Sequence, residues 1–404
     1  MPSTKTKTST KKKNTMKSKK TARKRTLLIV ESPSKAKVIG KYLGPSYNVL
    51  ASVGHVRDLP KSRLGIDIEN QFEPGYINIR GKGDKIKELK KAASSASRVI
   101  LATDPDREGE AISWHLAYLL DIDPQSECRI VFNEINKEAV KEAIKHPRSI
   151  DMGLVDAQQA RRVLDRLVGY QISPLLWQKV RRGLSAGRVQ SAALKMICDR
   201  ENEIKSFVPE EYWTITADYG DNFNASLSKY NGEDIRVTTA EEADTIENQL
   251  NAGKFVVESV KTGKRKPKPY APFTTSSLQQ DASIKLGFQT KKTMQIAQQL
   301  YEGIDVKGIG TRGLITYLRT DSVRVSSVAK ESAAEYITAH FGAEYSHNNS
   351  FSNKNKDIQD AHEAIRPADV TLEPEDIRDS LTPDQFKLYN LIWNRFVASQ
   401  MSPA

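Results

Sequence analysis

One stretch of this 404-residue sequence places a phenol and a guanidinium where they could act together on a phosphate. Residues Gly313–Ser322 read Gly-Leu-Ile-Thr-Tyr-Leu-Arg-Thr-Asp-Ser, with Tyr317 and Arg319 two positions apart. On an extended strand these side chains would share one face. A phenol can attack phosphorus and form a covalent ester, and a guanidinium can hold phosphate oxygens with its planar fork. Tyrosine on a strand is more often packed core, so this stretch alone only nominates a nucleophile.

A second stretch carries three acids at alternate positions. Asp104, Asp106 and Glu108 directly follow the apolar run Val99–Thr103. Such a set of hard oxygen ligands suits Mg²⁺. Two other readings stay open from spacing alone: a solvated acidic turn, and a calcium loop, which would require Glu where His115 stands.

The elements that would position these acids are strands that alternate with helices. Leu27–Val30 predicts a buried strand that leads to Glu31 and then to a helical stretch, Lys35–Leu43. The run before Asp104 predicts a second strand, and Arg129–Phe132 predicts a third. This alternation favours a parallel sheet, whose ligands gather beyond the carboxyl ends of its strands. Glu31 is therefore expected to meet the acidic cluster.

Glu31 and Lys35 form a second candidate pair, one helical turn apart. Near other carboxylates the pKa of Glu31 should rise, which would allow it to act as a general acid. Lys35 would hold phosphate or tune Glu31. Without the second acidic stretch, the pair would read as an ordinary salt bridge at a helix start.

The rest of the chain predicts helices, then strands, then helices again. Val155–Tyr170 places apolar residues at helical spacing with basic residues between them, and Gly183–Ser191 is a glycine and serine loop that opens a helix. Such a helix start offers free N–H groups to phosphate. Alternating residues from Tyr212 predict strands, one of them at Phe255–Val260, and Ser276–Tyr301 predicts a helix.

Composition restricts the function classes. Residues 1–25 contain nine Lys, two Arg and no acid, so they carry eleven of the twelve net positive charges. This tail is expected to be disordered, either as a nonspecific DNA contact or as a solubilising leader. No signal peptide, membrane span or P-loop is found, so a cytoplasmic protein without a nucleotide cofactor is expected. Cys128 and Cys198 stand too far apart for a zinc ribbon.

Taken together, these residues resemble the type IA DNA topoisomerases, nearest to their bacterial topoisomerase I branch. Seven motifs in order carry the resemblance: Leu28–Lys35, Ser52–Pro60, Asp104–Glu110, Gln158–Tyr170, Gly183–Ser191, Gly313–Ser322 and Ala361–Pro367.

The resemblance implies a multidomain α/β plus α fold. The expected domains are the tail at 1–25, a Toprim domain with a parallel sheet at 26–150, the first part of a helical DNA-binding domain at 151–210, the first part of a β gate domain at 211–272, and a mainly helical domain at 273–402 that carries the nucleophilic tyrosine.

It also implies roles for single residues. Tyr317 would attack one DNA strand to form a 5′-phosphotyrosine, with Glu31 assisting the 3′ oxygen. The implied Mg²⁺ ligands are Glu31, Asp104, Asp106 and Glu108, and the implied phosphate contacts are Lys35, Arg319 and His362. The implied DNA contacts are His55, Arg107, Arg161, Arg162, Asp165, Tyr170, Trp177, Ser185, Gly187, Arg188 and Gln190.

The resulting expectation is an ATP-independent enzyme, monomeric and associated with the nucleoid, that relaxes negatively supercoiled DNA through a single-stranded segment. Because family members continue beyond the position of Ala404, this chain is expected to relax DNA poorly. The alternatives are a topoisomerase III-like decatenase, a Toprim nuclease or primase, and a noncatalytic fragment that binds single-stranded DNA.

Overall fold

The computed structural model describes residues 25–220, 223–264, 266–352 and 362–403. Residues 1–24, nearly all of the expected basic tail, lie outside the described residues, as does Ala361 at the start of one motif. The chain forms two compact units, one from Met1–Val163 with Lys268–Ala404 and the other from Leu164–Pro267. The chain therefore leaves the first unit, forms the second, and returns.

The amino-terminal part of the first unit alternates strands with helices. Its elements are β1 (Thr26–Val30), α1 (Pro33–Leu43), β2 (Tyr47–Ala51), β3 (Arg57–Asp58), β4 (Ile66–Asp67), β5 (Glu73–Pro74), β6 (Ile77–Asn78), α2 (Gly83–Ser95), β7 (Arg98–Leu101), α3 (Arg107–Leu119), α4 (Lys137–Lys145) and the beginning of α5 (Met152–Lys179). β1 pairs in parallel with β2 and β7, in the order β2-β1-β7. The predicted parallel sheet is confirmed.

Polar side chains start the two helices that follow these strand ends. Ser32 Oγ accepts a hydrogen bond from Lys35 N at 3.3 Å, and Asp106 Oδ1 accepts one from Gly109 N at 2.7 Å. Each bond satisfies an N–H group that the first helical turn leaves unpaired. Because α1 and α3 begin so soon after their strands, the acidic residues in between stay at the carboxyl edge of the sheet.

The predicted third strand, Arg129–Phe132, is reduced to one residue that pairs in parallel with Leu101. Just beyond it, the carbonyl oxygens of Asn133 and Ile135 accept hydrogen bonds from the stretch that carries Tyr317. The strand does not continue because its backbone is bonded to another part of the chain.

The second unit contains the rest of α5, α6 (Arg188–Ser206), β8 (Thr216–Asp218), β9 (Asn224–Ser226), β10 (Lys229–Tyr230), β11 (Glu233–Asp234) and α7 (Ala240–Ala252). α6 begins after Gly187, as predicted, yet none of its 19 residues is buried. Phe255–Val260, predicted as a strand, forms none, and its large apolar side chains are exposed. No described strand pairs with this run, and β-branched composition alone does not supply hydrogen-bond partners.

The returning part of the first unit is mainly helical. It contains α8 (Thr275–Leu286), α9 (Thr290–Glu302), β12 (Ile304–Val306), β13 (Gly310–Arg312), α10 (Ser327–His340) and α11 (Pro383–Ser399). The single helix predicted over Ser276–Tyr301 is broken at Gly287, whose φ of 67° ends α8 in the left-handed region. None of the described helices has the length and apolar character needed to cross a membrane.

Strand β1 lies between two hydrophobic cores of the first unit. Leu28 and Val30 pack into a core that also contains Tyr317, whereas Leu27 and Ile29 pack into the other. This alternation follows from the two-residue period of side chains along a strand. The tyrosine stretch and the sheet therefore share one packed interior.

Candidate active site

A buried lysine connects the ends of β1 and β7. Lys35, 1% exposed, has its Nζ in contact with Glu31 Oε1 and with Asp104 Oδ1. The Tyr301 ring lies 4.8 Å from the same Nζ, and the Tyr301 hydroxyl donates a hydrogen bond to Asp104 Oδ1 at 3.2 Å. The structure thus brings together the two acidic stretches that the sheet was expected to join.

Burial and charge set the protonation of this cluster. Burial is the main cause that raises the pKa of Glu31 to about 8, and the charge of Asp104 adds to it. The predicted rise is confirmed, although neighbouring carboxylates are not its largest cause. Burial would lower the pKa of Lys35, but the charges of Asp104 and Glu31 outweigh it and raise that pKa.

Tyr317 reaches the same edge from the returning part of the unit. Its hydroxyl donates a hydrogen bond to Asp106 Oδ2 at 2.5 Å, and Arg319 Nη1 lies 3.5 Å from that oxygen. Tyr317 is 3% exposed, whereas the Arg319 side chain is 59% exposed. Burial, followed by the charges of Asp104 and Asp106, holds the pKa of Tyr317 well above its ordinary value.

The backbone around Tyr317 does not form the predicted strand, and it bends at Leu318 and Arg319. Its N–H groups donate to separate segments: Leu314 N to Leu300 O (2.8 Å), Thr316 N to Arg366 O (2.9 Å) and Tyr317 N to Asn133 O (2.8 Å). A strand requires a ladder with one neighbour, and only the isolated bridge between Ile315 and Pro367 forms here. The tyrosine is therefore fixed by several different segments of the first unit.

Glu108 has partners other than Lys35. Its Oε2 lies 3.2 Å from His55 Nε2 and accepts a hydrogen bond from Gln158 Nε2, also at 3.2 Å. The hydrogen bond with His55 is the largest cause that lowers the pKa of Glu108, and burial opposes it.

Two clefts of about 530 and 700 Å³ share Asp106, Glu108 and Arg319 in their linings. Arg107, Arg161 and His362 line the smaller one, and Glu31, His55 and Asp104 line the larger one. The His362 ring centroid lies 5.8 Å from that of Tyr317, and burial lowers the pKa of His362. The site is thus an open, strongly charged cleft around a buried tyrosine.

The four predicted metal ligands do not form a ready metal site in this arrangement. Within the described residues, no group of three or more His, Cys, Asp or Glu side chains could hold a metal ion as it stands. Each of the four carboxylates has protein partners instead. Their chemistry nevertheless suits Mg²⁺, and Glu31 Oε2 is buried without a hydrogen-bond partner among the described residues. The donor set therefore fits the ion.

Comparisons with known proteins agree with this geometry. The sequence pattern of the DNA topoisomerase family matches residues 149–404, and that of the Toprim domain matches residues 26–135. The chain belongs to the type IA DNA topoisomerase family. The structure of full-length topoisomerase I from Thermotoga maritima is similar, with 48% sequence identity and a TM-score of 0.80. The match covers 93% of this chain and 61% of that one, so the present chain spans about three fifths of its relative's length.

The remaining predicted DNA contacts of this topoisomerase family member are distributed over both units. In the first unit, Arg162 forms an ion pair with Asp58 at 2.6 Å. The second unit contains the others: Asp165, Tyr170, Trp177, Ser185, Gly187, Arg188 and Gln190.

Within the second unit, several of these side chains hold one another. Arg188 Nε donates to Asp165 Oδ1 at 3.0 Å, and the Arg166 guanidinium lies 4.5 Å from the Tyr170 ring. Trp177 Nε1 donates to a loop carbonyl at 2.5 Å while the side chain stays 49% exposed. Exposed aromatic rings beside basic groups are suited to stacking with bases.

Sequence reasoning missed several residues of the site. Two of them contact acidic side chains: Tyr301 binds Asp104 and Gln158 binds Glu108. The third, Arg129, binds the backbone carbonyl of Asp104. Gln158 begins one of the seven motifs, but Tyr301 and Arg129 stand in none, because their partners are far away in sequence. Arg366 lies within a recognised motif, but only the fold shows that it is buried between Glu363 and Glu134.

Proposed function

We propose that this chain acts as an ATP-independent, Mg²⁺-dependent type IA DNA topoisomerase that relaxes negatively supercoiled DNA. The observation that carries the proposal is the 2.5 Å hydrogen bond between Tyr317 and Asp106. It puts the phenol at the acidic edge of the sheet, next to Arg319 and to the lysine-bridged Glu31 and Asp104. A tyrosine in a structural role would not need this many charged groups around its hydroxyl.

In the proposed reaction, the Tyr317 oxygen attacks a backbone phosphorus and the bond from phosphorus to the 3′ oxygen breaks. The phenol proton leaves along the hydrogen bond to Asp106, and Glu31 donates a proton to the departing 3′ oxygen. Arg319 and Lys35 would offset negative charge on the phosphate. Reversal of the same steps reseals the strand. Since one phosphodiester is exchanged for another, no ATP is required.

Mg²⁺ would be held by Asp104, Asp106 and Glu108 with Glu31, and when bound it would neutralise charge on the phosphate oxygens. Lys35 already pairs with Asp104 and contacts Glu31 in the described arrangement. The lysine therefore holds the two acidic side chains close together.

Single-stranded DNA is the proposed partner. Arg107 and Arg161 line the smaller cleft beside Arg319, so cationic groups are available where a DNA phosphate would enter, and His362 lines the same cleft. In the second unit, Trp177 and Tyr170 offer partly exposed rings for base stacking. These contacts are independent of sequence, which suits an enzyme that acts on DNA topology.

The test uses a single-stranded oligonucleotide labelled at its 5′ end in one sample and at its 3′ end in another. After incubation with the 404-residue protein and Mg²⁺, the mixture is denatured and separated. We expect the 3′-labelled fragment to remain attached to protein, because Tyr317 keeps the 5′ phosphate. Tyr317→Phe should abolish the adduct, and Tyr345→Phe, which changes a half-exposed tyrosine, should leave it unchanged.

The other outcomes separate the alternatives. Free cleavage products that survive Tyr317→Phe would indicate a nuclease, and oligonucleotide binding without cleavage would indicate a noncatalytic binding fragment. Relaxation of a supercoiled plasmid, compared with unlinking of catenated circles, distinguishes the relaxing enzyme from the decatenase.

A further inference from the structure

A buried arginine holds the backbone of the acidic loop from inside. The Arg129 side chain is fully buried, and its guanidinium donates hydrogen bonds to the carbonyl oxygens of Thr103 and Asp104, each at 2.8 Å. It also donates to the carbonyl of Ile130 at 2.5 Å. The acids at 104 and 106 therefore extend from a loop whose carbonyls are bound to a single guanidinium.

Glu110 balances this arginine. The Glu110 carboxylate is fully buried, and it accepts hydrogen bonds from Arg129 Nε at 3.0 Å and from Arg148 Nη1 at 2.8 Å. Its third donor is the backbone N–H of Asp151 at 2.7 Å. Burial alone would raise the pKa of Glu110, but the hydrogen bonds of Arg148 and the charge of Arg129 outweigh it and lower that pKa. The carboxylate is thus ionised and fully paired.

The two ends of this network lead to different parts of the site. One end is the loop with Asp104 and Asp106. The other end is Asp151, the residue directly before α5. That helix carries Gln158, whose Nε2 lies 3.2 Å from Glu108 Oε2. The buried Glu110 carboxylate therefore connects the loop of Asp104 and Asp106 to α5, the helix whose Gln158 contacts Glu108.

We propose that Arg129 and Glu110 are positioning residues that hold the loop of Asp104 and Asp106 at a constant distance from α5. Neither side chain is exposed to substrate, so neither is catalytic. The inference rests on the proposed function, because the geometry it protects is that of the phosphate site opposite Tyr317.

The chemistry of arginine supports this role over that of a simple stabilising charge. A buried ion pair can often be replaced by packed apolar groups without loss of stability. A planar guanidinium with five donors, in contrast, can bind several carbonyls in a defined geometry, and a lysine ammonium cannot. The Arg129 guanidinium therefore fixes the positions of the Thr103 and Asp104 carbonyl groups, which a simple buried charge would not do.

The test compares Arg129→Lys with Arg98→Lys, an exposed arginine that also donates to a carbonyl. Three quantities are measured for each variant and for the unaltered protein: the unfolding midpoint, the Kd for a single-stranded oligonucleotide, and the single-turnover rate of the Tyr317 adduct. We expect Arg129→Lys to slow adduct formation by about 100-fold, since small misplacements cost that much. The Kd should stay within about threefold, because the predicted DNA contacts are unchanged.

Each outcome is informative. If the unaltered protein forms no adduct, the proposed function fails, and the positioning role with it. If it does and Arg129→Lys reacts at the same rate, the positioning inference alone is overturned. If Arg129→Lys does not fold, Glu110→Gln decides, because the amide keeps the size and shape of the carboxylate but loses the charge that pairs with Arg129. That variant should react about 3- to 10-fold more slowly with unchanged Kd, and a normal rate would overturn the inference.

Discussion

The ion pairs at the candidate site of the first unit differ in burial from the pair at the start of α6 in the second unit. In the first, Lys35 and Arg129 are almost completely buried; Lys35 contacts Glu31 and Asp104, and Arg129 pairs with Glu110. In the second, the pair of Arg188 and Asp165 is 38% and 40% exposed, and α6 has no buried residue at all. Burial makes a charge interaction stronger and its geometry stricter, whereas exposure keeps it accessible and weak.

This difference suits the two tasks that the proposed function would require. Exchange of a phosphodiester requires groups held within a fraction of an ångström, which a packed interior provides. Contact with a flexible strand of any sequence requires exposed cations and ring faces. Substitutions in the first unit should therefore alter stability and chemistry together, and those in the second should alter DNA affinity alone.

The largest effect is expected from Lys35→Met, which removes the buried cation between Glu31 and Asp104 and leaves Asp104 without its counter-charge. Loss of one partner of a buried ion pair should lower the free energy of unfolding by about 3–5 kcal/mol. Adduct formation should fall by about 10³-fold, because charge stabilisation at the phosphate is lost. Denaturant titration and the oligonucleotide assay measure the two effects. Lys41→Met, at an exposed lysine on the same helix, is the control, and equal stability of the two variants would contradict the role given to Lys35.

A smaller effect on the same unit is expected from Gly313→Ala. A Cβ at this position would lie 2.6 Å from Tyr301 O and 3.3 Å from Ile135 Cβ, so the tyrosine stretch would have to shift. Such overpacking should cost about 1–3 kcal/mol of unfolding free energy and slow adduct formation by about 10-fold. Gly83→Ala, where nothing lies within 4 Å of the added carbon, should be neutral. Unchanged adduct kinetics in Gly313→Ala would show that Tyr317 does not depend on this close packing.

In the second unit, Trp177→Ala should weaken binding of single-stranded DNA without destabilising the fold. Loss of one stacked base costs about 1–3 kcal/mol, which corresponds to a Kd increase of roughly 5- to 150-fold. Fluorescence anisotropy measures the affinity, and thermal unfolding verifies the fold. Trp213→Ala removes another partly exposed tryptophan from the same unit and is the matched control. If both variants bind DNA equally well, Trp177 is not a stacking residue.

The smallest effect is expected from Arg200→Gln, which breaks an exposed ion pair with Glu203 on α6. Surface pairs contribute about 0–1 kcal/mol, so the unfolding midpoint and the adduct rate should both stay nearly constant. A large loss of stability would mean that α6 is not as free of packing as its exposure indicates, and the contrast between the units would be weaker.

Local sequence patterns were sufficient wherever neighbouring residues decide the structure. Ser32, Asp106 and Thr382 cap the starts of α1, α3 and α11, and such a cap depends only on residues within three positions. The apolar runs around β1 and β7 likewise predicted the parallel sheet. Patterns failed where pairing partners are distant, as at Phe255–Val260 and at the Tyr317 stretch, since a strand depends on what lies beside it.

The sequence by itself determined the family and the parallel sheet, and it nominated Tyr317 and the acids, because ordered motifs and continuous apolar runs are local properties. Tertiary structure alone decided how those acids are paired: Lys35 between Glu31 and Asp104, and Asp106 with Tyr317. It also revealed the pairing of Arg129 with Glu110, since Arg129 lies in no motif and the motif of Glu110 does not show its partner. The physical reason is that burial and charge pairing depend on contacts between residues up to about two hundred positions apart, as between Asp106 and Tyr317.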